Sequence, residues 1–115
     1  MKTLARSENY IVESEFETVF LTDLRNGRKT IIGDFYGDAD GAMIDIKERF
    51  AIVFGCGVII YYLREPFEEY RYNTVCEQWK EIFRDGDKWI ISVEQIRDSE
   101  ILITFEDGTQ ITART

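Results

Sequence analysis

The sequence predicts an α+β domain: a mainly antiparallel sheet of about six to seven strands with one short amphipathic helix, about Val75–Phe83, packed on it. Three observations predict it. Residues 50–63, FAIVFGCGVIIYYL, form an uncharged run of fourteen residues rich in β-branched and aromatic side chains. Two tight-turn signals, Asn26-Gly27 and Asp107-Gly108, each sit between apolar segments. A single stretch after Thr74 has both a helix start signal and helical apolar spacing. At 115 residues the chain reads as one domain, 1–115, able to bury a core without disulfides or metal.

Taken in order, residues 1–10 are polar and are expected to be loosely attached. Glu15–Thr22 (EFETVFLT) reads as a strand, Asn26-Gly27 as its turn, and Lys29–Tyr36 (KTIIGDFY) as the returning strand. A three-residue loop would set Leu21 opposite Ile31 and Phe20 opposite Ile32, which pairs like with like. Asp34 to Asp45 (DFYGDADGAMID) is broken by glycine and aspartate and reads as a loop, followed by a charged connector, Asp45–Arg49.

The central run is too short for a membrane helix, which takes roughly 20 apolar residues. Gly55 and Gly57 bracket Cys56 and mark a bend, so the run reads as two strands, Phe50–Phe54 and Val58–Leu63. Apolar residues at successive positions require cover on both faces of the sheet. Pro66 ends the second strand, since proline lacks the donor that further pairing would use. Phe67–Asn73 (FEEYRYN) is a polar-aromatic loop.

Thr74 and Glu77 match a capping box, and Val75, Cys76, Trp79, Ile82 and Phe83 recur at helical spacing up to Asp85-Gly86. Such a helix is marginal alone and would dock on the sheet through Trp79. Lys88–Ile96 then alternates with Trp89, Ile91 and Val93 on one face, and Glu100–Phe105 with Ile101, Ile103 and Phe105. A three-residue loop over Glu106-Asp107-Gly108, with Gly108 left-handed, opposes Ile103 to Ile111 and Ile101 to Ala113.

Net charge is −8, with 22 acidic against 14 basic residues. That balance opposes binding to nucleic acid or anionic membrane, and favours a basic protein partner. Solubility is the competing explanation of the charge. Two cysteines and no apolar leader point to a reduced, cytoplasmic setting. The chain has no histidine, which removes the usual general base, the Ser-His and Cys-His pairs and most zinc sites. No catalytic residue, cofactor site or metal site is assigned. Cys56 reads as a small buried residue where backbones approach, because no cation lies close in sequence to stabilise a thiolate. Asp38-x-Asp40-Gly41 falls short of a calcium loop, which needs an acid or amide where Tyr36 stands and a closing Glu where Lys47 stands. Trp79 and Trp89 read as core packing, and no phosphate-cradling glycine motif is present.

The candidate site is a partner-binding surface made by two loops. Asp34, Asp38, Asp40 and Asp45 surround Tyr36, while Glu68, Glu69, Tyr70 and Tyr72 cluster in the other loop. Aromatic side chains anchor an interface, and carboxylates set its register and on-rate. The competing reading is that the tyrosines pack under their own loops.

The segment TDLRNGRKTIIGDFYGDADGAMID, with the glycine-bent run, Pro66-Phe67 and the Trp79 segment, resembles small cytoplasmic bacterial immunity proteins. These accompany polymorphic toxins, including contact-dependent inhibition systems. The resemblance runs from about Phe16 to Phe105 and lies in size, acidity and the aromatic-acidic loop pair. Immunity proteins share no single fold, so it transfers no site residues. It implies one-to-one occlusion of a toxin domain, often a basic nuclease, without catalysis. The alternatives are a small carboxylate-dependent hydrolase or isomerase using Asp34 and a tyrosine, and a homo-oligomeric structural module associating through exposed strand edges.

Overall fold

The computed structural model describes residues 1–86 and 88–115. Among the described residues there are eleven strands and no helix. In chain order they are β1 (Lys2–Arg6), β2 (Tyr10–Glu15), β3 (Thr18–Asp23), β4 (Lys29–Asp34), β5 (Gly41–Ile44), β6 (Phe50–Gly55), β7 (Gly57–Tyr62), β8 (Trp79–Ile82), β9 (Ile90–Arg97), β10 (Glu100–Phe105) and β11 (Gln110–Arg114). They form three antiparallel sheets, ordered β1-β2-β3-β4, β5-β6-β7-β8 and β11-β10-β9.

The central run organises the molecule as a middle layer. β6 and β7 pair as a hairpin, Val53 opposite Ile59 and Phe54 opposite Val58, with Cys56 at the tip between Gly55 and Gly57. Alternate residues point to opposite faces of a strand. Ala51, Val53, Ile59 and Tyr61 therefore pack with Val12, Val19, Leu21 and Ile32 of the first sheet. Phe50, Ile52, Phe54, Val58 and Ile60 pack with Ile90, Val93, Ile101 and Ile103 of the third. The apolar residues at every position of the run are thus explained by cover on both sides. Each such Val, Ile or Phe side chain, fully buried, contributes roughly 1.5–3 kcal/mol.

The hairpin tip is tight. Gly57 has a φ of 103°, and a Cβ there would lie 2.6 Å from the Phe83 carbonyl oxygen. Only glycine combines that backbone angle with that approach.

The α+β expectation is corrected to an all-β fold, and the expected helix over Val75–Phe83 is replaced by an irregular segment leading into β8. The apolar stripe does not form: Val75 is fully exposed, while Trp79 is buried. Trp79 pairs across strands with Tyr61 and Ile82 with Val58, so β7 supplies the backbone partners a helix would have supplied internally. Thr74 does not cap a helix; its carbonyl accepts the Trp79 indole N–H at 3.1 Å.

Four further expectations are revised. The loosely attached N-terminus instead contributes β1, which pairs with the unforeseen strand β2. The 34–45 segment is not all loop, because Gly41–Ile44 forms β5 on the edge of the middle sheet. In the first hairpin a register shift between Val19 and Phe20 sets Phe20 opposite Ile31 and Leu21 opposite Thr30. The turn there runs over 24–27, with the Asp23 carboxylate accepting from the Arg25 backbone and guanidinium. In β9 a shift opposite Thr104/Phe105 leaves Ile91 exposed and turns Ile90 inward. The last hairpin has the expected register, Ile103 opposite Ile111 and Ile101 opposite Ala113, with Gly108 at a φ of 88°.

Among the described residues no helix is long and apolar enough to cross a membrane.

Candidate protein-binding surface

Antiparallel strands place alternate connections at opposite ends of the molecule. One end gathers the turn after β2, the 35–40 loop, the Cys56 tip and the 83–86 segment. Glu17 fixes the first of these to the second: its carbonyl accepts the Phe35 N–H at 3.0 Å and its carboxylate accepts the Gly37 N–H at 2.6 Å. Gly37, with a φ of 79°, lies so close to Trp89 that a Cβ would sit 2.9 Å from the ring. The Asp40 N–H donates to the Phe54 carbonyl at 2.8 Å, which seats the loop on β6.

Arg84 closes this end from below. One terminal nitrogen donates to the Cys56 carbonyl (3.2 Å), the other to the Asp34 carbonyl (2.6 Å), and Nε pairs with Glu81 at 3.0 Å. Its guanidinium also lies over the Phe35 ring, 4.6 Å from the centroid. Every nitrogen of the group is therefore engaged by the fold.

Three large aromatics stand exposed at this end. Phe16 is 82% exposed, Tyr36 80% and Tyr72 71%. Phe16 holds a positive φ of 56° in its turn, an uncommon conformation for a bulky residue. An open cleft of about 430 Å³ lies at this end, lined by Asp34, Tyr36, Tyr72, Glu17, Arg84 and Asp85 among others. A neighbouring depression is lined by Phe16 and Asp38. Exposed rings interleaved with carboxylates are the composition of a protein-binding surface, since rings supply area at low entropy cost and carboxylates supply direction.

The sequence-predicted residues divide into three groups. Asp34, Tyr36 and Tyr72 share the cleft, and the exposed Asp38 and Asp40 stand on the same loop. Glu68 and Glu69 are exposed elsewhere, along the edge of the first sheet. There the Glu69 carboxylate accepts the Ile31 N–H at 2.8 Å, and the Tyr70 N–H donates to the Ile31 carbonyl at 2.8 Å. This segment covers the outer edge of β4, which would otherwise present unpaired backbone groups.

Asp45 and Tyr70 are buried rather than displayed. Asp45 lies at the opposite end, bonded by Arg49 and by the Gln95 amide. Burial pushes its carboxyl up, but the Arg49 and Gln95 hydrogen bonds outweigh it and hold the group well below the usual carboxylate range. Burial, reinforced by the Glu81 carboxylate that accepts its O–H, raises the Tyr70 phenol above its ordinary value. Tyr70 packs against Trp79, with centroids 5.1 Å apart.

Phe16 and Glu17 escaped sequence reasoning because they read as the start of a strand. The available signal was the alternation Glu15-Phe16-Glu17, which sets one apolar ring between two charges. Among the described residues no group of three or more His, Cys, Asp or Glu side chains is placed to hold a metal ion. No protein-family model matches the chain, and no curated protein matches it significantly.

Proposed function

We propose that the chain is a protein-binding inhibitor of the immunity type, which occludes a basic toxin domain through the end that carries Phe16, Tyr36 and Tyr72. The observation that carries the reading is the outward display of these three rings beside Asp34, Asp38 and Asp40. Large rings left in water cost free energy that association recovers. The overall charge of −8 would steer a cationic partner to this protein and raise the association rate. The setting proposed is the cytoplasm, where both cysteines stay reduced; both are free thiols in the fold.

Co-purification with the product of the adjacent gene tests the reading. One-to-one binding, weakened by charge reversal at Asp38 and Asp40, supports it. Binding indifferent to both reversals, or no binding, refutes it.

A further inference from the structure

We propose that the cleft between Tyr36 and Tyr72 is a socket for one arginine side chain of the partner, an inference that rests on the protein-binding reading above. The groups in the cleft select for that chemistry. Among the described residues the Asp34 carboxylate has no hydrogen-bond or ion-pair partner, whereas its carbonyl is held by Arg84. The two tyrosine rings that line the cleft are largely exposed. Glu17, whose carboxylate accepts the Gly37 N–H, adds a second carboxylate to the walls.

Among the described residues that line the cleft, the one cation, Arg84, cannot serve an anionic ligand. Its nitrogens are taken by Glu81 and by the Cys56 and Asp34 carbonyls, and Glu81 balances its charge. What the cleft offers is an acceptor-only carboxylate beside aromatic surface. A guanidinium meets both at once, donating two parallel N–H bonds to the carboxylate while its plane lies on a ring. Lysine brings charge without the plane, and an apolar side chain would desolvate Asp34 without pairing it.

The test is a nitrogen-15 chemical-shift titration of the full chain with N-acetyl-arginine amide, beside its neutral isostere N-acetyl-citrulline amide. The expected result is saturable, millimolar binding of the arginine derivative, with shifts centred on Tyr36, Gly37 and Tyr72, and no saturable shift with citrulline. Asp34→Asn, which keeps size and removes charge, should weaken that binding about tenfold, the loss of one charge-assisted hydrogen-bond pair. Unsaturated drift alone, or equal binding by Asp34→Asn with its spectrum still dispersed, would overturn the socket. The two levels separate with the protein partner. Binding that falls on charge reversal at Asp38 and Asp40, yet is unmoved by Asp34→Asn, rejects the socket and keeps the inhibitor. Saturable arginine binding by a chain that binds no basic partner does the reverse.

Discussion

The Tyr61 and Trp79 rings lie stacked across β7 and β8, with centroids 6.3 Å apart and planes within 13° of parallel. Trp79 also meets Tyr70, and Tyr61 meets Phe67, so one aromatic group joins the middle sheet to the 67–70 segment. The Tyr61 hydroxyl donates to the Glu68 carbonyl at 2.6 Å, which ties that segment down. β8 owes its place to this pairing more than to its own four residues. Trp79→Ala should therefore cost about 3–5 kcal/mol, the usual range for deleting a buried aromatic. Urea unfolding measures it, and a loss below about 1 kcal/mol would show that the stack does not hold β8.

Arg84 is the fastener of the proposed binding end. Arg84→Met keeps most of the stem but takes the guanidinium donors from the Cys56 and Asp34 carbonyls and leaves Glu81 without its cation. The expected loss is about 2 kcal/mol, because hydrogen bonds to charged groups exceed neutral ones. Amide exchange should quicken around residues 34–37 while the third sheet keeps its protection. Uniform quickening would mean that Arg84 supports the whole fold rather than this end.

Glycine substitutions should separate strain from crowding. Gly27 has a φ of 75° with nothing near a built Cβ, so Gly27→Ala should cost about 1–2 kcal/mol, the left-handed penalty alone. Gly57→Ala adds a clash with the Phe83 carbonyl to a similar backbone penalty, and should lose about 3 kcal/mol or more. Thermal unfolding of the two variants gives the comparison, and equal losses would contradict the contact at the hairpin tip.

The far end of the molecule gives a pH prediction. The Asp45 carboxyl has a folded pKa below its ordinary value of 3.8, so its stabilisation is present above that value and is lost as pH falls towards the folded one. Its side chain is fully buried against Arg49. Asp45→Asn should be less stable at neutral pH by about 2 kcal/mol, the loss of charge-assisted hydrogen bonds between the buried Asp45 carboxylate and the partly exposed Arg49. The gap between variant and native protein should narrow as pH drops below about 4. A gap that stays constant into acid would contradict the ion-pair origin.

Legibility in the sequence followed the range of the interaction. Residues 50–63 could be read as doubly covered strands because each position is apolar, and the Ile103–Ile111 register because a three-residue loop alone matched apolar partners. The 74–83 segment was misread because Thr74, Glu77 and the apolar spacing are local signals, whereas its pairing with Val58 and Tyr61 depends on residues about twenty positions away in the chain. β1 and β2 were missed because alternation in them is half polar, and their apolar face becomes visible only against the middle sheet. At the candidate surface, Tyr36 and Tyr72 could be singled out as aromatic among acids. That they share a cleft depends on the Glu17 and Arg84 hydrogen bonds, which no local pattern announces.

Calorimetric titration of the chain with the product of the adjacent gene, the proposed basic partner, tests the central claim most directly. The prediction is tight one-to-one binding that falls at least about a hundredfold when Phe16, Tyr36 and Tyr72 are all changed to alanine, as expected for central aromatic anchors. Charge reversal at Glu8, in the turn at the opposite end, should leave it unchanged. Binding that survives the triple change, or that falls equally on Glu8→Lys, would contradict the assignment of this end as the docking surface.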